Sequence, residues 1–218
     1  KNEMALKELA PLADGILLHN REIVLSEDDS VIRYTRQGTR VILRRSRGMA
    51  PNVMNDSIRP TSPWLSMGAD LKGTFGLATR EATYISQYLG DQSSYESQQA
   101  YRECLAHFYR VLDVLPSHIL TDYHPGYAST HFGMEIAQEL DIPVTYIQHH
   151  EAHFSAVLME NELHLSDEPV LGVIWDGMGL GHDQQIWGGE FMLFEEGSIS
   201  RHDHMRYFPH LLGDKMAH

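Results

Sequence analysis

Strand-like and helix-like segments alternate between residues 118 and 176, and no other feature of the sequence constrains the fold as strongly. Short apolar runs are typical of buried strands, and the segments between them carry apolar residues at helical spacing. Strands separated by helices normally pair in parallel within one sheet. The segments are, in order, HILTDY, STHFGMEIAQEL, PVTYIQ, HHEAHFSAVLMENEL and PVLGVIWD. They predict an α/β domain with a largely parallel sheet.

The flanking segments predict hairpins that make this sheet mixed. Residues 64–91 contain extended stretches separated by glycine-bearing turns, which is typical of a β-meander. Residues 185–197 begin a further hairpin. An amphipathic helix is expected over residues 94–114, where apolar residues recur at helical intervals. Cys104 falls on the apolar stripe of that helix, so we expect a core residue and not a nucleophile.

A shift in composition divides the chain into two units. Residues 1–50 contain two alternating segments, GILLHNREIVL and RVILRRSRG, which predict the last strands of one α/β domain. Residues 51–63 are rich in proline and lack apolar periodicity, as expected of a linker. Residues 64–218 then form the second unit.

Charge and cysteine content exclude several classes of partner and site. The net charge is −13, which argues against nucleic acid or an anionic membrane as a general partner, because both require a basic surface. The single cysteine excludes an intrachain disulfide and a multi-cysteine zinc site. The apolar runs are shorter than the roughly 18 residues of a membrane span, and no signal peptide is recognisable. We therefore expect a cytoplasmic protein without a membrane partner.

Two histidines and one aspartate predict a metal site. His149 and His153 are four residues apart and share one face of the expected helix. Asp176 ends an apolar strand, and a buried carboxylate at such a place needs a cation or hydrogen-bond donors. Two imidazoles and a carboxylate suit iron(II) or zinc. The pattern is not that of the zinc proteases, because Glu151 is misplaced for their general base. Three polar histidines on a surface helix remain the alternative.

Two further patterns predict phosphate contacts. Gly177, Gly179 and Gly181 follow the strand acid and would let backbone amides approach a phosphate, although a tight hairpin turn is the simpler alternative. A strand, an acid, a glycine-rich turn and a returning strand together resemble the phosphate loops of the actin-like and Hsp70-like superfamily. Six of the 17 Lys and Arg residues lie between Arg33 and Arg47. They could form a phosphate pocket or the solvated edge of a strand.

A series of motifs resembles one known family along essentially the whole chain. RRSRGMAP, MGADLKGTF, YISQYLGD, HPGYAST, QHHEAH and VIWDGMGLGHDQQIWGGEF occur in this order in hydrogenase maturation carbamoyltransferases of the HypF type. Members of that family are longer. The resemblance implies an internal fragment, with the end of a YrdC-like α/β domain followed by the first lobe of an actin-like (ASKHA) α/β domain with a mixed sheet.

The resemblance implies a two-step reaction. In the family, carbamoyl phosphate and ATP, with Mg²⁺, give carbamoyladenylate in the YrdC-like domain. The second domain then transfers the carbamoyl group to the C-terminal cysteine thiol of the partner HypE, for synthesis of the cyanide ligands of [NiFe]-hydrogenase. Little turnover is expected from these residues alone, because the second lobe that closes the cleft is missing.

The resemblance also implies roles for individual residues. His149, His153 and Asp176 match metal ligands, with a further aspartate outside the fragment, and the metal would be iron or zinc. Lys72 and His124 are implied at the reaction centre, and a capped loop histidine is the alternative for His124. The implied phosphate and adenylate contacts are Gly177, Gly179, Gly181, His19, Asp29, Ser30, Arg33, Arg44, Arg45 and Arg47. Asp214 and Lys215 lie in FPHLLGDKMAH, which departs from the family pattern, so their roles stay open.

Two rival functions remain from the sequence. The same scaffold could serve O-carbamoylation of a small molecule or threonylcarbamoylation of tRNA, and the acidic charge balance argues against tRNA. A metal- or nucleotide-binding module without catalysis is the more distant alternative, in which the histidines are structural.

Overall fold

A six-stranded mixed sheet forms the centre of the computed structural model, which describes residues 2–54 and 59–207. Its strand order is β3-β6-β5-β4-β7-β8, in which β4, β7 and β8 are parallel and the other pairs antiparallel. The strands are β3 (Asn52–Met54), β4 (Trp64–Ser66), β5 (Gly76–Ala78), β6 (Thr83–Ile85), β7 (His118–Asp122) and β8 (Val144–Ile147). The predicted mixed α/β sheet and β-meander are confirmed. Asp214 and Lys215 lie outside the described residues.

Helices connect the parallel strands as the sequence predicted. α1 (Asn2–Leu9) lies at the N-terminus, α2 (Tyr95–Leu112) precedes β7, α3 (Ala128–Leu140) joins β7 to β8, and α4 (His149–Glu160) follows β8. The C-caps of α2 and α3, Asp113 and Asp141, adopt the left-handed conformation with φ of 51° and 53°. Aspartate tolerates this conformation better than most side chains, so both helices end where the sequence allows a sharp turn.

The last strands form a separate sheet, which the sequence did not predict. β9 (Val170–Leu180), β10 (Ile186–Glu195) and β11 (Ser198–His204) make a three-stranded antiparallel sheet. β9 pairs with β10 and not with β8, so the expectation that it continues the parallel sheet is wrong. The hairpin β9–β10 satisfies the backbone groups of β9 locally, and α4 packs on this sheet through Phe154 and Leu158.

The N-terminal unit contains one hairpin, β1 (Val31–Tyr34) with β2 (Arg40–Arg44). The strand predicted in RVILRRSRG is present as β2, whereas residues 15–25 contain no strand. Their alternation has no partner strand within the described residues. The segment interpreted as a linker, residues 51–63, contributes β3 to the edge of the central sheet, so it is not entirely irregular.

Cys104 is buried in the main core, as the helical stripe predicted. Its exposed fraction is 1 %, and it lies with Tyr101, Leu105 and Phe108 of α2 against the central sheet. Burial raises the pKa of its thiol to about 12. Such a thiol is a packing residue, because both the thiolate and access to it are needed for nucleophilic reactivity. Among the described residues, no helix has the length and apolar character to cross a bilayer.

The thiol should therefore report on folding. We expect Cys104 to react with a thiol-specific chromogenic disulfide at least about 100-fold more slowly in the native protein than in urea, because at neutral pH it is both protonated and inaccessible. The measurement is the rate of colour development with and without denaturant. A single added surface cysteine, Ser200→Cys, is the control for reagent activity. Fast native labelling of the parent chain would show that α2 does not pack as described.

Candidate functional site

The predicted metal ligands meet where α4 approaches β9. Nε2 of His149 and Nε2 of His153 lie 3.2 Å apart. Oδ2 of Asp176 lies 3.1 Å from Nε2 of His149 and 3.8 Å from Nε2 of His153. One ligand atom of each of the three side chains lies within 4.8 Å of the others. The helical spacing placed the histidines on one face, and the β9 strand brings the carboxylate to them.

Asp122, at the end of β7, holds the first histidine. Its Oδ2 lies 2.7 Å from Nδ1 of His149, and its other oxygen accepts the backbone N–H of His124 at 2.8 Å. A carboxylate can only accept a hydrogen bond at neutral pH, so Nδ1 of His149 carries the proton. Without a metal, Nε2 also carries a proton and faces Asp176 Oδ2 at 3.1 Å; a bound metal would displace that proton and use the Nε2 lone pair. This is the carboxylate–histidine arrangement that orients metal-binding imidazoles in proteins.

One atom of the cluster has a charged neighbour but no aligned hydrogen bond. Within the described residues, Oδ2 of Asp176 is buried and accepts no aligned hydrogen bond, while Oδ1 accepts the Gly177 N–H at 2.6 Å. A buried carboxylate oxygen without a donor is costly unless a cation is nearby. Ligand atoms about 2.0–2.2 Å from one ion lie about 3.0–3.5 Å apart, which matches two of the three separations here. The residues therefore fit a divalent metal.

The electrostatics of the cluster are those of a cation between two acids. The pKa of His149 rises to about 9, first because of its hydrogen bond to Asp122 and then because of Asp176, against the opposing effect of burial. The pKa of Asp176 is lowered, mainly by the neighbouring His149 ring. An imidazolium thus supplies positive charge between the carboxylates, and a bound divalent ion would replace that charge.

The three glycines differ in their surroundings. The predicted glycine-rich turn after Asp176 is incorrect, because β9 continues to Leu180 and the turn comes only at residues 181–185. An added Cβ would have open space at Gly177, but it would lie 2.5 Å from Cε1 of His150 at Gly179 and 2.0 Å from the Trp187 ring nitrogen at Gly181. Close packing thus explains Gly179 and Gly181, whereas the surroundings of Gly177 are open, and phosphate contacts of the three glycines stay a prediction.

Lys72 lies beside two of the predicted phosphate-binding arginines, at a cavity separate from the metal ligands. Lys72, Arg44 and Arg45 line one cavity of about 210 Å³, together with Tyr88. Arg44 also bonds the backbone oxygen of Asp29 at 2.8 Å. Lys72 adopts a left-handed backbone conformation, with φ of 53°. The structure thus joins a residue predicted for the second unit to two predicted for the first.

The other residues predicted in the first unit hold its local structure. Arg47 lies 3.3 Å from the Asp29 carboxylate, and Ser30 Oγ donates to the Arg47 carbonyl oxygen at 3.0 Å. Nδ1 of His19 accepts the Arg21 N–H at 3.2 Å. Arg33 lies in β1, opposite Val41. These contacts show side chains tied to nearby loops and strands.

His124 lies in the loop after β7 and not among the metal ligands. Its Nδ1 accepts the Gly126 N–H at 3.1 Å, and its ring stacks on Tyr127 with centroids 4.4 Å apart. The Tyr127 ring in turn lies 6.5 Å from that of His149. His124 therefore makes the contacts of a capped loop histidine at the edge of the site, and its role at the reaction centre stays a prediction.

The sequence missed three residues that support the site. Asp122 ends β7, a strand that the sequence predicted, so the criterion of an acid after a strand-like run, which singled out Asp176, would have found it too. Gln148 caps α4, and its amide contacts His150. His150 lies outside the i, i+4 pair of histidines, yet its ring is buried with Nε2 3.7 Å from Asp176 Oδ2. Burial lowers the pKa of His150.

Replacing Asp122 by asparagine should weaken metal binding without removing it. The amide cannot supply the negative charge that fixes the Nδ1 proton of His149, so we expect the affinity for Zn²⁺ to fall by about 10–100-fold. Competition with a chromogenic chelator measures this change. Asp141→Asn is the matched control, because Asp141 is the left-handed cap of α3 and its carboxylate contacts none of the three ligands. Equal affinities of the two variants would contradict the role of Asp122.

The fold and the site define the class of the protein. It is an α/β protein in which histidines at the start of a helix and acids on two strands converge at one point.

Comparisons with known proteins identify the family. Residues 59–160 match the family model described as HypF Kae1-like domain, and residues 172–218 match that of the carbamoyltransferase Kae1-like domain, second subdomain. The chain is 40% identical over 213 residues to carbamoyltransferase HypF of Synechocystis, covering 98% of this chain and 27% of that protein. It is 36% identical over 214 residues to probable carbamoyltransferase HypF of Methanocaldococcus jannaschii, again covering 98% and 27%. The chain belongs to the HypF family.

Solved structures agree with this assignment. Full-length HypF in a phosphate- and nucleotide-bound form has a TM-score of 0.85 at 34% identity, and HypF of T. kodakarensis has a TM-score of 0.85 at 38% identity. Both matches cover 100% of this chain and 28% of the longer one. The chain therefore spans about a quarter of the length of its relatives.

Proposed function

We propose that the chain forms part of an ATP-dependent carbamoyltransferase of [NiFe]-hydrogenase maturation, with carbamoyl phosphate as donor and the C-terminal cysteine of HypE as acceptor. The family supports this proposal, because its named members are carbamoyltransferases. The observation that carries it is the cluster of His149, His153 and Asp176, in which a buried carboxylate oxygen lacks an aligned hydrogen bond. A cytoplasmic location and a YrdC-like origin for residues 1–50 remain predictions.

The cluster would hold a divalent metal, iron or zinc, as a Lewis acid that polarises the carbamoyl carbonyl and binds phosphate. Asp122 keeps the Nδ1 proton of His149 in place, so it is the Nε2 proton that a metal would displace and the Nε2 lone pair that would bind it. Gly177 has an open approach for a phosphate oxygen beside the cluster. These residues would orient the carbamoyladenylate and leave the acceptor thiolate to attack its carbamoyl carbon, with AMP as the leaving group.

The cavity lined by Lys72, Arg44 and Arg45 supports a contact to phosphate. Among the described residues, Arg44 lies 3.6 Å from the Asp28 carboxylate, whereas Lys72 and Arg45 form no ion pair with an acidic side chain. Guanidinium and ammonium groups at one cavity suit the phosphates of ATP with Mg²⁺, or of the adenylate.

The test separates the two half-reactions in the full-length protein. His149→Ala should abolish carbamoyl transfer to a HypE acceptor while carbamoyl-phosphate-dependent cleavage of ATP to AMP and pyrophosphate continues, because only transfer uses the metal cluster. Radiolabelled carbamoyl phosphate follows transfer, and pyrophosphate release follows activation. An acceptor with its terminal cysteine changed to serine controls for hydrolysis. Full transfer by His149→Ala, or tRNA as the only labelled acceptor, would refute the proposal.

A further inference from the structure

His150 places a third imidazole at the carboxylate of Asp176. Its side chain is fully buried, and its Nε2 has no hydrogen-bond partner among the described residues. That nitrogen lies 3.7 Å from Asp176 Oδ2, the same oxygen that lies 3.1 Å from His149 and 3.8 Å from His153. Three ring nitrogens therefore surround one carboxylate oxygen. The distance to this oxygen does not separate His150 from His153, but within the described residues the compact group of ligand atoms comprises only His149, His153 and Asp176.

Gln148 decides which nitrogen of His150 carries the proton. Oε1 of Gln148 accepts the backbone N–H groups of His150 and Glu151, at 2.7 and 3.1 Å, so it must be the carbonyl oxygen. The amide nitrogen lies 3.1 Å from the carbonyl oxygen of Leu180, which can only accept. Both ends of the amide are thus fixed. Gln148 is fully buried, so water does not compete for these hydrogen bonds.

The fixed amide makes His150 a donor towards the metal cluster. The Gln148 nitrogen also lies 3.1 Å from Nδ1 of His150, so Nδ1 must be the acceptor of that hydrogen bond. A neutral imidazole with an accepting Nδ1 carries its proton on Nε2. An Nε2–H has no lone pair for a metal. His149 would be in the opposite state once a metal replaces its Nε2 proton, because its Nδ1–H is held by Asp122.

The surroundings hold the His150 ring in this orientation. An added Cβ at Gly179 would lie 2.5 Å from Cε1 of the ring, so β9 passes directly against it. The Trp187 ring lies on another side, with centroids 6.0 Å apart. A movement of about 0.8 Å would bring Nε2–H of His150 within hydrogen-bond distance of Asp176.

We propose that His150 is a positioning residue, whose Nε2–H donates to the Asp176 carboxylate and orients it, and that it is not a third imidazole ligand. The proposal rests on the cation site of the proposed function and assigns the neighbouring histidines to different tasks. With an ion bound, His149 and His153 present lone pairs, whereas His150 presents a proton. The site would then bind its ion through two imidazoles and a carboxylate from the described residues.

Two replacements of similar size distinguish a donor from a ligand. In His150→Gln, the amide N–H can reach nearly the position of the lost Nε2–H, whereas His150→Leu fills the space without a donor. We expect the affinity of the intact protein for Zn²⁺, measured against a chromogenic chelator, to fall by about 10–100-fold in His150→Leu and to recover in large part in His150→Gln. His149→Ala, which removes a ligand, should fall further than either.

The proton on His150 can be observed directly in the unmodified protein. With ¹⁵N-labelled histidine, long-range ¹⁵N–¹H correlation spectra distinguish a protonated Nε2 from a protonated Nδ1, and we expect the former. Protonation at Nδ1, or parent-like affinity in His150→Leu together with loss in His149→Ala, would overturn this inference alone. Equal losses in His150→Gln, His150→Leu and His149→Ala would make His150 a ligand. Zn²⁺ binding unchanged in His149→Ala would overturn the cation site itself.

Discussion

His149→Ala, His153→Ala and Asp176→Ala should each lower the affinity for a divalent metal by more than about 100-fold. The metal content should then fall from one ion per chain to less than one. Each change removes one of three converging ligand atoms, a larger loss than the removal of an outer hydrogen-bond partner. Asp176→Ala should have the additional effect of leaving His149 without its second carboxylate. Metal content is measured after anaerobic and aerobic preparation, so that iron and zinc are both detected.

His131→Ala provides the matched control. It makes the same chemical change at an exposed position of the neighbouring helix α3, and it should leave the metal content unchanged. The full-length protein is the right material, because a further ligand is expected outside these residues. Metal retained in all three ligand variants would mean that the convergence of these side chains has a structural purpose only.

A buried ion pair gives the second large effect. Arg201 donates to Oε2 of Glu190 at 2.7 Å, and the Glu190 side chain is 1% exposed. Arg201→Ala leaves this carboxylate without its cation, and removing one partner of a buried pair costs about 3–5 kcal/mol of unfolding free energy. The arginine also stacks over Trp187, 3.8 Å from its ring, so the loss includes packing that supports the hairpin β9–β10.

The chain contains a closely matched exposed pair. Arg102 lies 2.7 Å from the Glu135 carboxylate and 3.8 Å from the Phe132 ring, but its carboxylate partner is 55% exposed. Arg102→Ala should cost less than about 1 kcal/mol, because water solvates the remaining carboxylate. Urea unfolding of both variants gives the comparison. Equal costs would mean that Glu190 is not buried in solution.

Local patterns in the sequence predicted most of the site, and pairings between distant segments were missed. The i, i+4 spacing of His149 and His153 and the apolar run before Asp176 are local signals, and the structure brings these residues together. β9 could pair with β8 or with β10, and the periodicity of the sequence does not indicate which. Residues 15–25 show the converse error, because an alternating segment forms no strand without a neighbour to bond.

The proton of His150 lies beyond sequence reasoning for a related reason. It depends on Gln148, whose amide is fixed by its own helix and by Leu180 of β9, 32 residues later. A histidine two positions from a glutamine carries no recognisable signal until the fold brings the strand to the amide. Asp122 differs, because its place at a strand end was visible in the sequence.

The two acids that contact His149 belong to different sheets, since Asp122 ends a strand of the six-stranded sheet and Asp176 lies in the three-stranded one. One imidazole ring therefore cross-links the two layers. An ion bound at its Nε2 would extend that cross-link, so metal loading should slow amide hydrogen exchange in β7 and β9 together. The metal site would then couple the two sheets, so that local unfolding of one would require the other to open as well.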